Sequence, residues 1–109
     1  MEWRDVVGYE NLYQVSEYGD IRYKHNPTRL RKFISDRGYK LIMLRQFGWA
    51  KMFHAHRLVY EAFVGSIPDN YQVHHIDGSR SNNHFSNLTI MERGRHISFH
   101  NTGLKRSKK

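Results

Sequence analysis

Glycine-containing turns at short intervals limit the first half of the chain to short antiparallel strands. One turn is centred on Gly19 and a second ends at Gly38, and each lies between two segments with the composition of strands. Glycine adopts the positive φ angles of tight hairpin turns without strain. These spacings predict two hairpins, and a further strand follows Gly48. The strand candidates in this half are 13–16, 21–24, 29–34, 39–45 and 51–55.

The spacing of apolar residues changes after residue 55. Apolar side chains from Leu58 to Phe63 recur at the helical period, which predicts a short helix over 56–64 that ends at Gly65. Beyond it lie strand candidates 71–76 and 88–91, the polar loop 77–86 between them, and a helix that begins near residue 92. The sequence therefore predicts an α+β fold: a small antiparallel β module with a short helix, followed by a strand–loop–strand–helix unit.

The charge of the chain is distributed unevenly. Residues 1–21 carry five acids against Arg4, whereas residues 22–57 carry ten basic residues against Asp36, a net charge of +9. Aromatic residues are interleaved with these cations, a composition typical of nucleic-acid contact. A β-ribbon that presents Arg and Lys is one way to enter a DNA groove, and Arg29 and Arg31 would share one face of the predicted strand. The predicted DNA contacts are Arg22, Lys24, Arg29, Arg31, Lys32, Arg37, Lys40, Arg45 and Lys51.

Composition excludes several other classes of protein. The chain has no cysteine, which removes disulfides, thiolate zinc sites and cysteine nucleophiles together. No apolar run approaches the length of about 20 residues that crosses a bilayer, and no signal peptide follows Met1. With 39% hydrophobic residues the chain can bury a modest core, which excludes a disordered basic tail. We expect a protein of the cytoplasm with a polyanionic partner.

Four of the eight histidines form a pattern that suggests a metal site. His74 and His75 are adjacent on a predicted strand, so they point to opposite sides, and one could bind a metal while the other acts on substrate or water. His96 and His100 are four residues apart on the predicted helix and share a face, a spacing suited to metal ligands. If the helix packs across the hairpin, up to three imidazoles would surround a divalent ion and leave coordination positions open.

Such a constellation suits phosphodiester hydrolysis. A divalent cation stabilises charge at phosphorus and on the departing oxygen, and a neutral imidazole accepts the proton of the attacking water. The strand geometry by itself leaves open which of His74 and His75 has each role. His25, His54 and His84 have no partner pattern, and we interpret them as structural or phosphate-contacting residues.

Residues 74–100 resemble the HNH, or ββα-metal, endonuclease motif. The segments that carry this resemblance are His74-His75-Ile76-Asp77-Gly78, Asn82-Asn83, Asn87-Leu88, His96 and His100. A second resemblance, to a module found ahead of the HNH nucleases of phage and intron-encoded homing endonucleases, is carried by residues 3–10, 13–16, 19–21 and 56–59. Together the two cover residues 2–100.

The resemblance implies a role for each histidine of the pattern. His75 corresponds to the general base, and Asn87 to the central asparagine that braces the loop between the strands and keeps the base in place. His74 and His96 correspond to metal ligands, and His100 to a further ligand. Many homing relatives have asparagine at the position of His96, so at this position the chain is more similar to the colicin-like pattern of the motif. The implied cofactor is one divalent ion, Mg²⁺ or Mn²⁺, although an all-imidazole set also suits Zn²⁺ or Ni²⁺.

The implied activity is that of a metal-dependent endonuclease that nicks duplex DNA as a homing-type nuclease in a bacterial host cell. We expect a basic DNA-binding module over 1–65, an HNH unit over 66–103 and a basic tail over 104–109. We also expect a monomer, with a dimer left open. Several homing relatives continue into a C-terminal helix-turn-helix module, and because this sequence ends at Lys109 we expect a shorter DNA footprint.

Two other functions remain open at this point. The first is a non-catalytic DNA-binding module in which the histidines hold a structural metal, so that metal removal would unfold it. The second is a nuclease directed at RNA or at any nucleic acid. Digests of duplex DNA, single-stranded DNA and RNA in parallel would separate that possibility from a DNA endonuclease.

Overall fold

The computed structural model describes residues 1–26 and 28–93, which form three small antiparallel sheets around one helix, α1. The first sheet contains β1 to β3, the second β4 to β6, and the third β7 and β8. A short 3-10 helix, Phe85–Asn87, leads into β8. The elements are β1 (Trp3–Asp5), β2 (Tyr13–Ser16), β3 (Ile21–Tyr23), β4 (Phe33–Ile34), β5 (Lys40–Gln46), β6 (Trp49–His54), α1 (Ala55–Phe63), β7 (Tyr71–His75) and β8 (Leu88–Glu92).

The predicted α+β class is confirmed, and most predicted strands occur within a residue or two of their predicted bounds. β1 is an additional strand that pairs with β2 and completes the first sheet. The predicted helix that begins near residue 92 lies outside the described residues. Among residues 1–26 and 28–93, no helix has the length and apolar character that a membrane span requires.

The predicted strand over 29–34 is wrong in its first half. Only Phe33–Ile34 pairs with β5, whereas Arg29 forms an isolated bridge to Arg22 of the first sheet. Arg29 and Arg31 therefore do not share one strand face. The backbone N–H of Leu30 donates to the carbonyl of Ile21, so this segment follows the first sheet before it reaches the second.

One apolar core joins both halves of the chain. Helix α1 contributes Leu58 and Val59, the first two sheets add residues that are fully buried, and Leu88 of β8 closes the core. The hydroxyl of Tyr13 accepts a hydrogen bond from the backbone N–H of Arg45 at 3.0 Å and so ties the first sheet to the second. The buried apolar residues are Val6, Tyr13, Val15, Ile21, Ile42, Leu44, Ala55, Leu58, Val59, Tyr60 and Leu88.

One core position of α1 holds a histidine. His56 is 7% exposed, and its Nδ1 is the one buried side-chain nitrogen or oxygen in the described part of the chain that has no hydrogen-bond partner. Burial, with smaller contributions from the nearby charges of His75, His54 and Arg57, lowers the pKa of His56 from 6.5 to about 3. His56 is therefore neutral wherever the protein is folded near neutral pH.

We expect this histidine to make the fold sensitive to acid. The unfolded chain binds a proton at His56 below its ordinary pKa, whereas the folded chain does not bind one until about pH 3. The contribution of His56 to the free energy of unfolding should therefore be constant above pH 6.5. At lower pH this contribution should decrease, by up to about 1.4 kcal/mol for each pH unit.

Urea unfolding of the wild type and of His56→Leu between pH 8 and pH 4 measures this contribution. The stability difference between the two proteins should be constant above pH 6.5 and shift in favour of the variant below it. Parallel curves across the whole range would show that His56 does not titrate in this way.

Candidate active site

His75 occupies the last position of β7, opposite Leu88 of β8. Its side chain is 5% exposed, although it lines the edge of a surface cleft of about 150 Å³. His74, the preceding residue, is half-buried and lines the same cleft. The strand pairing therefore fixes both histidines of the pair at one end of the hairpin.

A buried hydrogen bond orients His75. Its Nε2 lies 2.8 Å from Oδ1 of Asn83, which is itself 3% exposed. An amide oxygen only accepts hydrogen bonds, so Nε2 carries the proton of the neutral imidazole and donates it. Nδ1 then keeps the lone pair. This bond selects the tautomer in which Nδ1 can accept a proton.

A close approach of the first sheet holds Asn83 in place. Gly19, in the turn before β3, has φ +94°, and a Cβ built there would lie 3.2 Å from the Cβ of Asn83. Next to this contact, Nε2 of His84 lies 3.2 Å from a carboxylate oxygen of Glu17. Glycine suits position 19 because it adopts a positive φ without strain and leaves room for the close contact with Asn83.

Aromatic rings surround His75 on its other side. The ring of His56 meets that of His75 edge-on at 4.8 Å between centroids, and the ring of His54 lies 5.0 Å from that of His56. Tyr39 of the turn before β5 lies 5.4 to 6.1 Å from all three rings. Burial, together with the charge of Arg57, also lowers the pKa of His54. This cluster packs the proposed base against neutral rings.

Asn87 braces the loop that connects β7 to β8. Its Nδ2 donates to Oδ1 of Asp77 and to the carbonyl of Asn82, both at 2.9 Å, and its Oδ1 accepts from the backbone N–H of Asp77 at 3.1 Å. The pKa of Asp77 is lowered because its carboxylate accepts from the N–H of Ser79 and from the amides of Asn82 and Asn87. An ionised Asp77 and Asn87 together hold both ends of the loop.

The side chain of Arg80 places a positive charge at the rim of the cleft. The guanidinium of Arg80 lies 4.9 Å above the ring of Tyr39 and donates to the carbonyl of Arg37. Both Tyr39 and Arg80 line the cleft together with His74 and His75. The cleft therefore combines a positive charge with an imidazole of fixed orientation.

The predicted metal site lies mostly outside the described residues. His74 is the one predicted ligand within them, and His96 and His100 are not. Among residues 1–26 and 28–93, no three His, Asp or Glu side chains are arranged to hold a metal ion. The described donors alone do not form a metal centre, so the three-histidine site stays a prediction.

Four of the predicted DNA contacts have partners within the protein. Arg22 donates to Gln14 and lies 4.1 Å above the ring of Trp3. Lys24 pairs with Asp5 at 3.2 Å, and Asp20 accepts both Arg29 and Lys32. Two acids of residues 1–21 thus partly neutralise Lys24, Arg29 and Lys32, whereas the partners of Arg22 are uncharged.

The other five predicted contacts form no ion pair with any described residue. They all belong to the second sheet or to the segments that lead into it. Arg31 and Lys51 lie over the rings of Phe33 and Phe53, and Arg45 contacts the sulfur of Met43. These cations are Arg31, Arg37, Lys40, Arg45 and Lys51. The positive charge available to a polyanion is therefore concentrated on the second sheet.

Sequence reasoning missed several residues of this site. Asn83 was noted only as part of a motif, and Tyr39, His56 and Arg80 carry no local pattern that connects them with His75. The role of Asn83 depends on its burial against Gly19, and this contact is visible only once the packing of the sheets is known. Their proximity results from the packing of all three sheets against α1.

Two family models match the chain. The model of the NUMOD4 motif matches residues 1–45, and the model of the HNH endonuclease family matches residues 53–96. The second match contains His75 together with the loop that holds it, and the first contains Gly19.

Individual relatives agree with these matches. The chain is 39% identical over 88 residues to DNA endonuclease I-HmuI of Bacillus phage SP01, an alignment that covers 81% of this chain and 51% of that protein. It is 35% identical over 78 residues to YosQ, a candidate HNH homing endonuclease derived from the SPbeta prophage of Bacillus subtilis (strain 168), over 71% of this chain and 45% of that protein. The chain therefore spans about half the length of the curated relatives it matches.

A solved structure extends the comparison to the fold. It describes DNA binding and cleavage by the HNH homing endonuclease I-HmuI, and it matches with a TM-score of 0.83 at 32% identity, over 97% of this chain and 62% of that chain. The chain therefore contains a NUMOD4 motif followed by a domain of the HNH endonuclease family, and it is homologous to the phage enzyme I-HmuI.

Proposed function

We propose that this chain is a metal-dependent DNA endonuclease that hydrolyses phosphodiester bonds and nicks duplex DNA as a homing-type nuclease. The observation that supports it most is the buried hydrogen bond from His75 to Asn83, which leaves Nδ1 of a cleft-lining imidazole as a proton acceptor. The name of the relative I-HmuI, a DNA endonuclease, agrees with this chemistry.

His75 acts as the general base in this proposal. Its Nδ1 takes the proton of a water molecule that attacks phosphorus, and the bond from phosphorus to the leaving sugar oxygen breaks. The ring must hold one orientation for this transfer, which the bond to Asn83 and the edge-on contact with His56 provide. Asn87 keeps the loop closed around the site. Arg80, at the rim of the cleft, attracts the phosphate.

A divalent ion held by His74, His96 and His100 would supply charge stabilisation at the phosphate when it is bound. The proposed ion is Mg²⁺ or Mn²⁺, although these ions favour oxygen ligands, whereas a set of imidazoles suits Zn²⁺ or Ni²⁺. We further propose that the protein acts as a monomer inside a bacterial host cell, where one site cuts one strand. Phage and prophage relatives support this setting.

Supercoiled plasmid tests the activity. We expect nicked circles with at least one of Mg²⁺, Mn²⁺, Zn²⁺ or Ni²⁺, and none in EDTA. His75→Ala should reduce the nicking rate by at least 100-fold, the scale of a lost general base, and should leave the affinity for duplex DNA within about twofold. Wild-type nicking by this variant would remove His75 from the role of base, and an absence of nicking with every metal would refute the endonuclease.

The orientation of His75 can be tested through the glycine behind Asn83. Gly19→Ala places a methyl group 3.2 Å from the Cβ of Asn83 and should displace the amide that holds the base. We expect nicking to fall at least tenfold at saturating DNA, with DNA affinity little changed. Gly8→Ala is the matched control, because Gly8 also has a positive φ of +88° but no atom within 4 Å of an added Cβ.

The two glycine variants separate the effect of backbone strain from the effect of a displaced Asn83 side chain. Both should lose stability to a similar extent, since alanine disfavours a positive φ at either position. If Gly8→Ala loses as much nicking as Gly19→Ala at equal fractions folded, the contact with Asn83 has no special importance. Asn83→Leu should reproduce the loss seen with Gly19→Ala.

The division of the cations predicts different salt dependences. Arg31, which forms no ion pair with any described residue, should contact phosphate directly. Arg31→Ala should therefore reduce the slope of log affinity against log salt by about one. Arg22→Ala should change it little, because Arg22 is held by Gln14 and Trp3.

Fluorescence anisotropy of labelled duplex DNA in EDTA, over about 50 to 200 mM salt, measures both slopes. If both variants change the salt slope equally, Arg22 contacts DNA despite its partners within the protein. No change in either would place the phosphate contacts elsewhere.

A further inference from the structure

The turn between β5 and β6 presents two large aromatic side chains to solvent. Phe47 is 89% exposed and Trp49 is 80% exposed. The turn consists of Phe47 and Gly48, which connect Gln46 directly to Trp49 in the strand pairing. No described residue covers either ring in a contact between aromatic groups. We refer to Phe47, Gly48 and Trp49 as the hairpin tip.

The backbone of the hairpin tip is unfavourable for its first residue. Phe47 has φ +53° and Gly48 has φ +80°, the two left-handed conformations of a type I′ turn. Asparagine or glycine normally occupies the first of these positions, and a bulky residue there is uncommon. Strained positions of this kind cluster at functional sites. A phenylalanine that is both strained and exposed does not serve the stability of this fold.

Cations lie on both faces of the hairpin just behind the tip. Lys51 pairs with Leu44 and so shares the face on which Leu44 enters the core, whereas Arg45 pairs with Ala50 on the opposite face. The segment 37–60 contains no acid at all. A hairpin with aromatic rings at its apex and one cation on each flank is complementary to a nucleic-acid groove, in which bases lie between two rows of phosphates.

We propose that the hairpin tip inserts an aromatic side chain at a base-pair step of the bound duplex, while Arg45 and Lys51 contact the phosphates on either side. The inference rests on the proposed function, in which the second sheet binds DNA. Apolar side chains placed between base pairs unstack them and bend the duplex. The tip would thereby bend the DNA held by the sheet.

The two tryptophans of the chain allow a direct test. Trp3→Phe keeps an aromatic ring under Arg22 and leaves Trp49 as the sole tryptophan. The DNA is a duplex centred on the strongest nick mapped on plasmid, with 2-aminopurine at successive positions, and the titration is carried out in EDTA. We expect the Trp49 fluorescence to be strongly quenched on binding. We also expect the fluorescence of 2-aminopurine to rise severalfold at one step, where stacking is lost.

Substitution at the tip should remove these signals. Trp49→Ala, in the otherwise native chain, and Phe47→Asn, which suits the turn, should each weaken binding by about tenfold or more; the double variant should abolish the rise of 2-aminopurine fluorescence. Ile34→Ala is the matched control, because Ile34 is 69% exposed on the same sheet but lies away from the tip. This control should bind DNA with the wild-type affinity and give the same changes in tryptophan and 2-aminopurine fluorescence as the wild type.

The possible failures are distinguishable. A protein that neither nicks nor binds DNA overturns the proposed function and this inference together. Binding and nicking with an unquenched Trp49 and silent 2-aminopurine overturn the insertion alone. A tip that instead shifts its fluorescence on anionic vesicles, and is not displaced from them by duplex DNA, would identify a membrane surface as its partner and would also overturn the inference.

Discussion

The buried hydrogen bond between His75 and Asn83 is the interaction on which the candidate site depends. It selects one imidazole tautomer, and Asn83, which accepts it, packs closely against Gly19 of the first sheet. A buried polar pair of this kind is costly to break from one side, since the remaining group would lose its partner without gaining water. Asn83 in the HNH region therefore lies against a turn residue, Gly19, that is more than 60 residues earlier, in the NUMOD4 region.

The same close packing explains why the two matched segments act as one structure. Helix α1 lies between all three sheets, and its residues share a core with Val6 near the first strand and Leu88 in the last. The stacked rings of Phe63 and Phe85 add a contact from α1 to the loop of the HNH unit. The domain boundary that the sequence predicts at residue 65 stays a prediction, and the core crosses it.

Electrostatics divides the basic residues into two groups that the linear sequence does not separate. Asp5 and Asp20 engage cations at the first sheet, so the segment of net charge −4 partly neutralises the segment that follows it. Surface pairs of this kind add little stability. Their effect is rather to leave the second sheet as the region of greatest free positive charge, which includes the hairpin tip with its exposed aromatic rings.

The sequence by itself determined the fold class, most strands and the position of α1, because turn glycines and apolar periodicity are local signals. The resemblance to an HNH nuclease was carried separately, by the histidine and asparagine motifs of residues 74–100. The roles of His74, His96 and His100 in binding metal stay predictions. Tertiary structure alone decided which side chains meet: that Asn83 holds His75, that His56 is buried against it, that Arg29 follows the first sheet and that Phe47 and Trp49 are left uncovered. Such contacts join residues far apart in the chain, and their formation depends on how sheets and helix pack rather than on any local pattern.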